Sequence, residues 1–408
     1  MSSTIRFPIT IIFQLLICIT SAYEGPIAGG KSIQDCIYGD KSKLPYADTT
    51  PNDVIIKEGY TAENHVVLTD DGYLLTLNRI PGPPNAPPVL LHHGFSATAL
   101  DWVVAGKHKS LAFLLANKGY DVWMANARGG LYSSCHVKYT TSDHGFWNFS
   151  FNEIGLYDIP AEISYILKHQ NSSLFYIGHS MGTTAFYVMA TERPDITSKI
   201  TLMFSFAPIA FLNHIALPLR ITAFLSTSTI TFVDRFSSGE LYSPGIIKYF
   251  SNEFCSSTLL SSHICLFFMF TYNGYDFSQF NYTLFPLIFS HHLTPSANKI
   301  KNHYLQILTS RRFQKYDYGF EKNLEVYHSP EPPEYDLRKV RVPIGLFWSE
   351  NDLISTAEDV RHIHDLLPLT ILYHKVQYPN FNHLDYLFAI NAPEVVYSVL
   401  FDKMDIYR

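Results

Sequence analysis

From His65 onward the chain alternates short apolar runs with polar breaks. His65-Val66-Val67-Leu68 and Tyr73-Leu74-Leu75-Thr76-Leu77 flank Asp70-Asp71-Gly72, which reads as an antiparallel hairpin closed by a tight turn. Short apolar runs then recur at Val89–Leu91, Val122–Ala125, Leu174–Ile177, Leu202–Phe206 and Ile344–Trp348, several with helical patterns between them. That alternation predicts buried parallel strands, hence an α/β fold with a mostly parallel central sheet. Asp158 is placed to cap a helix with Pro160 in its first turn, which puts Ile159, Ile163, Ile166 and Leu167 on one face. From about Ile209 to Pro333 the alternation breaks down, and Val342-Pro343 resumes the sheet. The segment reads as an inserted, mainly helical cap between two parts of a core, 23–208 and 334–408. Arg220 is the only charged residue between Ile209 and Val233, and there is none from Cys255 to Gly274. The cap must therefore bury or present much apolar surface. Asn213, Pro218, Arg220 and a Ser/Thr run after Leu225 interrupt the first stretch, which argues against a membrane span there.

At 408 residues the chain exceeds what one hydrophobic core supports, which agrees with a domain enlarged by an insertion. Charged residues are 16% of the chain against 47% hydrophobic and 15% aromatic, a balance that excludes disorder and points to apolar binding surfaces. A net charge of −6 without a basic cluster leaves no footprint for nucleic acid. At the start, Arg6 precedes an apolar run, Phe7 to Ile19, and then Thr20-Ser21-Ala22. These residues read as a signal peptide, 1–22, cut after Ala22, because the run is shorter than the roughly 20 apolar residues that span a bilayer. The expected product is secreted, with no transmembrane span in the mature chain. Sequons at Asn148, Asn171 and Asn281 are possible glycosylation sites on that route. Loss of Cys18 leaves four cysteines for an oxidising compartment. Cys255 and Cys265 are the expected bridge; the pairing of Cys36 with Cys135 depends on the fold. No spacing resembles a zinc site and no motif calls for a cofactor.

Gly178-His179-Ser180-Met181-Gly182 follows the run Leu174–Ile177 directly and precedes Ala185, Phe186 and Met189 on a helical face. Strand, sharp turn and helix in this order present a serine nucleophile, and Gly178 and Gly182 keep side chains out of the strained turn. A serine hydroxyl needs a histidine to take its proton and a carboxylate to hold that histidine. Asp352, just past Ile344–Trp348, is the first candidate acid; Glu350 and Asp385 stay open as competitors. His383, in a loop between a strand around Val376 and an apolar C-terminal helix, is the candidate base. His291, His292, His362 and His364 read as surface histidines. An oxyanion would take one backbone N–H from Met181, after the nucleophile, and the second from Phe95, after His93-Gly94.

Leu91-His92-His93-Gly94-Phe95, Gly178-His179-Ser180-Met181-Gly182, Asn351-Asp352 and Asn382-His383-Leu384-Asp385 together resemble the acid lipase family of gastric and lysosomal acid lipases. His65–Leu75, Asn126-Ala127-Arg128-Gly129 and Phe146–Ile154 extend the likeness from about Asn52 to the C-terminus. The resemblance implies an α/β-hydrolase fold, Ser180, Asp352 and His383 as the triad, Phe95 and Met181 as oxyanion donors, and a lid within 209–333. It also implies hydrolysis of triacylglycerol or cholesteryl esters at a lipid-water interface, commonly at acidic pH, without a cofactor, in a secreted or lysosomal enzyme. Gly130-Leu131-Tyr132-Ser133-Ser134-Cys135 lacks the basic residues usual at that point of the family. An esterase for small soluble esters is the nearest alternative function and a silent lipid carrier a remote one.

Overall fold

The computed structural model describes residues 17–21, 23–38, 49–168, 173–217, 219–221, 238–241, 254–255, 258–291 and 294–408. Its strands are β1 (Ile17–Ser21), β2 (Ala62–Leu68), β3 (Tyr73–Ile80), β4 (Pro88–His92), β5 (Asp121–Met124), β6 (Cys135–His136), β7 (Leu174–His179), β8 (Ile200–Phe206), β9 (Glu240–Leu241), β10 (Ser296–Ala297), β11 (Ile344–Trp348) and β12 (Thr370–Lys375). Ten form one sheet in the order β1-β2-β3-β5-β4-β7-β8-β11-β12, with β6 beside β3, while β9 and β10 make a separate ribbon. β2 and β3 form the expected antiparallel hairpin, with Leu68 opposite Leu74. From β5 through β12 neighbouring strands run parallel.

Parallel strands with helices on both faces must be apolar on both, and successive residues here enter opposite cores. Leu90 and Tyr176 pack on one side with Ile159, Ile163, Ile166 and Phe186. Val89, Leu91, Phe175 and Ile177 pack on the other with Phe113, Tyr386 and Leu400. The helices relevant to the site are α1 (Ile159–Lys168), α2 (Met181–Glu192), α3 (Leu259–Asn273), α4 (Asn298–Ser310) and α5 (Ala357–Leu366).

The start of α1 corrects the sequence reading. Asp158 does not cap it; the helical path begins at Phe151, where Ser150 accepts from Asn152 N–H and Glu153 accepts back from Ser150 N–H. A π-turn over Ile154–Asp158 then runs into α1. Proline at 160 has no N–H for the Leu156 carbonyl and would crowd it in a regular helix, so the turn widens. The released Leu156 carbonyl accepts from Arg193 Nη1 at 3.2 Å.

Disulfides join Cys36 to Cys135 and Cys255 to Cys265. Ile17–Ser21, inside the segment read as a leader, lies parallel to β2 at the sheet edge; the remainder of that leader lies outside the described residues. No helix among the described residues is long and apolar enough to cross a membrane. Asn148 and Asn281 are exposed, while Asn171 falls outside the described residues.

Candidate active site

β7 ends at His179, and Ser180 takes φ 52° and ψ −115° before α2 begins. This backbone conformation costs a non-glycine residue of order 1–3 kcal/mol and holds the side chain out of the turn. Close packing explains both flanking glycines. A side-chain carbon at Gly182 would lie 2.4 Å from the His92 carbonyl oxygen, and one at Gly178 would lie 2.8 Å from the Gly182 backbone. β8 clamps the turn, since Ser180 N–H donates to the Phe206 carbonyl at 3.0 Å.

Three side chains distant in sequence meet here. His383 Nε2 lies 2.9 Å from Ser180 Oγ, and His383 Nδ1 lies 2.8 and 3.0 Å from the two oxygens of Asp352. Asp352 comes from the loop after β11 and His383 from the loop after β12. With Nδ1–H donating to the carboxylate, Nε2 is free to accept the serine proton. Backbone N–H groups of Ile354 and Ser355 donate to Asp352 Oδ1 at 2.9 and 2.8 Å and hold the side chain in place. All three side chains are buried.

The competing groups lie elsewhere. Glu350 is exposed and pairs with Lys375. Asp385 is buried but accepts from Asn382 N–H at 2.7 Å, within the histidine's own loop. His364 meets Asp365 at the surface, whereas His291 is buried with Nδ1 at 3.0 Å from the Leu287 carbonyl, and His362 lies against the Phe211 ring. The surface reading thus fails for His291, whose helix turns it inward; His292 lies outside the described residues.

Beside Ser180, Gly94 sits so close that a side-chain carbon on it would be 3.2 Å from Ser180 Cβ. Phe95 follows at once, and Met181 opens α2, whose first-turn N–H groups have no partner within the helix. The strand end carrying Gly94 is braced by His93. Its Nε2 accepts from Ala127 N–H at 3.0 Å, so its Nδ1–H donates to the Gly94 carbonyl at 2.7 Å. Next to Ala127, the guanidinium of Arg128 is fully buried. It donates to Asp158 Oδ1 through Nε at 2.8 Å and to Asp71 Oδ1 through Nη2 at 2.9 Å, and lies 4.1 Å from the centre of the Tyr73 ring. Burial works against its charge, and the two carboxylates restore it.

The histidine loop is pinned by residues that sequence reasoning left without a role. His383 N–H donates to the Asn273 carbonyl at the end of α3, Asn382 Nδ2 donates to Gly274, and Asn351 Nδ2 donates to Tyr275 and Asn380. His179 Nε2–H donates to the His383 carbonyl at 2.8 Å.

A serine on a strand-to-helix turn, served by a histidine and a carboxylate from later strand ends, defines an α/β-hydrolase of the serine-nucleophile type. The alpha/beta hydrolase fold family matches residues 87–222, and a family described as a partial alpha/beta-hydrolase lipase region matches residues 51–106. The chain is 33% identical to Lipase 1 of Drosophila melanogaster, covering 97% of this chain and 93% of that one. It is 34% identical to gastric triacylglycerol lipase of Bos taurus, covering 90% and 94%, and 34% identical to the Homo sapiens enzyme of that name, covering 83% and 87%. The chain belongs to the acid lipase family. Among solved structures, a membrane phospholipase A shares the fold at a TM-score of 0.50 and 12% identity, covering 88% of this chain and 89% of that one.

Proposed function

We propose that this protein is a secreted or lysosomal serine lipase that cleaves triacylglycerol or cholesteryl esters, with an acidic optimum. The observation that carries this reading is His383 Nε2 at 2.9 Å from Ser180 Oγ with Asp352 on its other nitrogen, in a chain 34% identical to gastric triacylglycerol lipase of Bos taurus. In the reaction, His383 takes the Ser180 proton as Oγ attacks the ester carbonyl. The oxyanion accepts from the Phe95 and Met181 N–H groups, and the protonated His383 returns its proton to the leaving alcohol. Water then enters by the same route and releases the fatty acid from Ser180. Asp352 stabilises the imidazolium in both steps.

Residues 209–333 form the cap and lid in this reading. An apolar groove suits long chains because each buried methylene contributes about 0.8 kcal/mol. Support for action at a lipid-water interface comes from α3, where Leu260, Ile264, Phe267 and Phe268 stand exposed at helical spacing. Signal cleavage after Ala22 would remove β1 and make β2 the sheet edge. Asn148, Asn171 and Asn281 are the proposed glycosylation sites.

The test is hydrolysis of short, medium and long acyl esters and of cholesteryl oleate by the protein and by Ser180→Ala, between pH 4 and 8. Long-chain preference abolished in Ser180→Ala is the expected result. Short-chain preference would instead mark an esterase for soluble esters, and no turnover on any ester would mark a lipid carrier.

A further inference from the structure

Between the braced Gly94 and the next fixed point of the chain stand Phe95, Ser96 and Ala97. Downstream, Ala99 N–H donates to Asn126 Oδ1 at 3.0 Å and the Thr98 hydroxyl accepts from Leu100 N–H at 3.2 Å. Ser96 has φ 53°, a left-handed conformation that a residue with a side chain adopts at a cost and keeps only where its surroundings enforce it. Its own side chain supplies no hold, because the buried Ser96 Oγ has no hydrogen-bond partner among the described residues. The hold comes from Thr294, which is 2% exposed and stands just before β10. Thr294 N–H donates to the Ser96 carbonyl at 3.1 Å, and the Thr294 hydroxyl donates to the Ala97 carbonyl at 3.3 Å. Ser96, Met181 and Thr294 line one small cavity of about 10 Å³, so this clasp stands against both segments that carry the proposed oxyanion donors. α4, which follows β10, touches the same two segments. The Tyr304 ring meets the Phe95 ring edge-on with 6.5 Å between centres, and the Tyr304 hydroxyl donates to Thr184 Oγ1 in α2 at 3.0 Å.

We propose that Thr294 is a positioning residue for the oxyanion site: its two hydrogen bonds keep Ser96 left-handed and thereby aim the Phe95 N–H. This rests on the serine-lipase reading above. Gly94 and Thr98 are tied down on either side, so a change in Ser96 φ has to be taken up by its neighbours, and the Phe95 peptide turns with it. Thr294 belongs to the segment read as the cap. The cap therefore bears on the transition state through the main chain of Phe95, Ser96 and Ala97.

The experiment measures kcat, KM and the pH profile of kcat/KM on a soluble ester for the intact protein, Thr294→Val, Thr294→Ser and the double variant Ser96→Gly/Thr294→Val, with near-UV circular dichroism to establish folding. Valine keeps the shape and the backbone N–H but leaves the buried Ala97 carbonyl without its donor. Thr294→Val is expected to lower kcat by about tenfold or more. KM and the pH profile should stay as they are, because the oxyanion forms after binding and the triad is untouched. Thr294→Ser keeps the hydroxyl and should recover most of the loss. Glycine takes a positive φ without strain, so Ser96→Gly should recover turnover in the valine background. A folded Thr294→Val variant with unchanged kcat would overturn the proposal. So would a loss expressed in KM or as a shifted pH profile, or serine and double variants no better than Thr294→Val. Should Thr294→Val fail to fold, Thr294→Ala removes the same donor with less bulk and decides the same points. Absence of Ser180-dependent turnover in the intact protein would refute the hydrolase reading itself, whereas an active protein indifferent to Thr294→Val refutes the positioning role alone.

Discussion

Gly182→Ala tests the packing between the nucleophile turn and the strand end that carries Gly94 and Phe95. The added methyl would lie 2.4 Å from the His92 carbonyl oxygen and 3.0 Å from that of His93. An ordinary C···O contact is about 3.3 Å or more, so α2 and the end of β4 must part by about 0.9 Å. Both neighbours are main chain, and neither can rotate away. Met181 adjoins Gly182 and Phe95 follows the strand end, so the parting moves the two proposed oxyanion donors, and misplacement on this scale costs about a hundredfold in rate. Crowding of a packed core should cost about 1–3 kcal/mol of stability as well. The assay is kcat and KM on a soluble ester, with near-UV circular dichroism and thermal melting to establish that the variant is folded. A large fall in kcat with little change in KM is expected, because the oxyanion forms after binding. A folded Gly182→Ala variant within about threefold of the unsubstituted kcat would refute the reasoning.

Two further predictions concern buried charge. Arg128→Met leaves Asp158 buried without its partner and should destabilise the fold by about 3–5 kcal/mol, read from denaturant midpoints; a loss under about 1 kcal/mol would show that the carboxylates find other donors. His303, in α4, sits between Ser150 Oγ at 3.0 Å and the Gln314 carbonyl at 2.8 Å, and burial depresses its pKa to about 4. Because the unfolded chain takes up that proton near pH 6.5, the native state should lose about 3 kcal/mol as pH falls from 6.5 to 4 and no more from this group below that. Melting curves of His303→Gln should show a shallower acid-side decline than those of the unsubstituted protein, and parallel declines would contradict the assignment.

The strands were readable because a sheet covered on both faces demands uninterrupted apolar runs, and Leu174–Ile177 or Ile344–Trp348 can be little else. Ser180, Asp352 and His383 were readable too, since each follows such a run and their chain order restricts the choice. Local signals misled at Pro160, which sits as comfortably in a first turn as in a π-turn; the Ser150/Glu153 capping box upstream was the better marker. Other features are long-range and leave no local trace. The bridge from Cys36 to Cys135 requires knowing that β6 lies beside β3. His291 reads as surface because nothing in its neighbours reveals which side of a short cap helix faces inward.

The serine and the histidine that serves it are separated by 203 residues, which gives the chemistry a place in time. At roughly 5–20 residues per second of synthesis, about 10–40 s pass between the emergence of the nucleophile and that of its base. Throughout that interval the growing chain carries a strained serine without the histidine that the proposed mechanism uses to activate it.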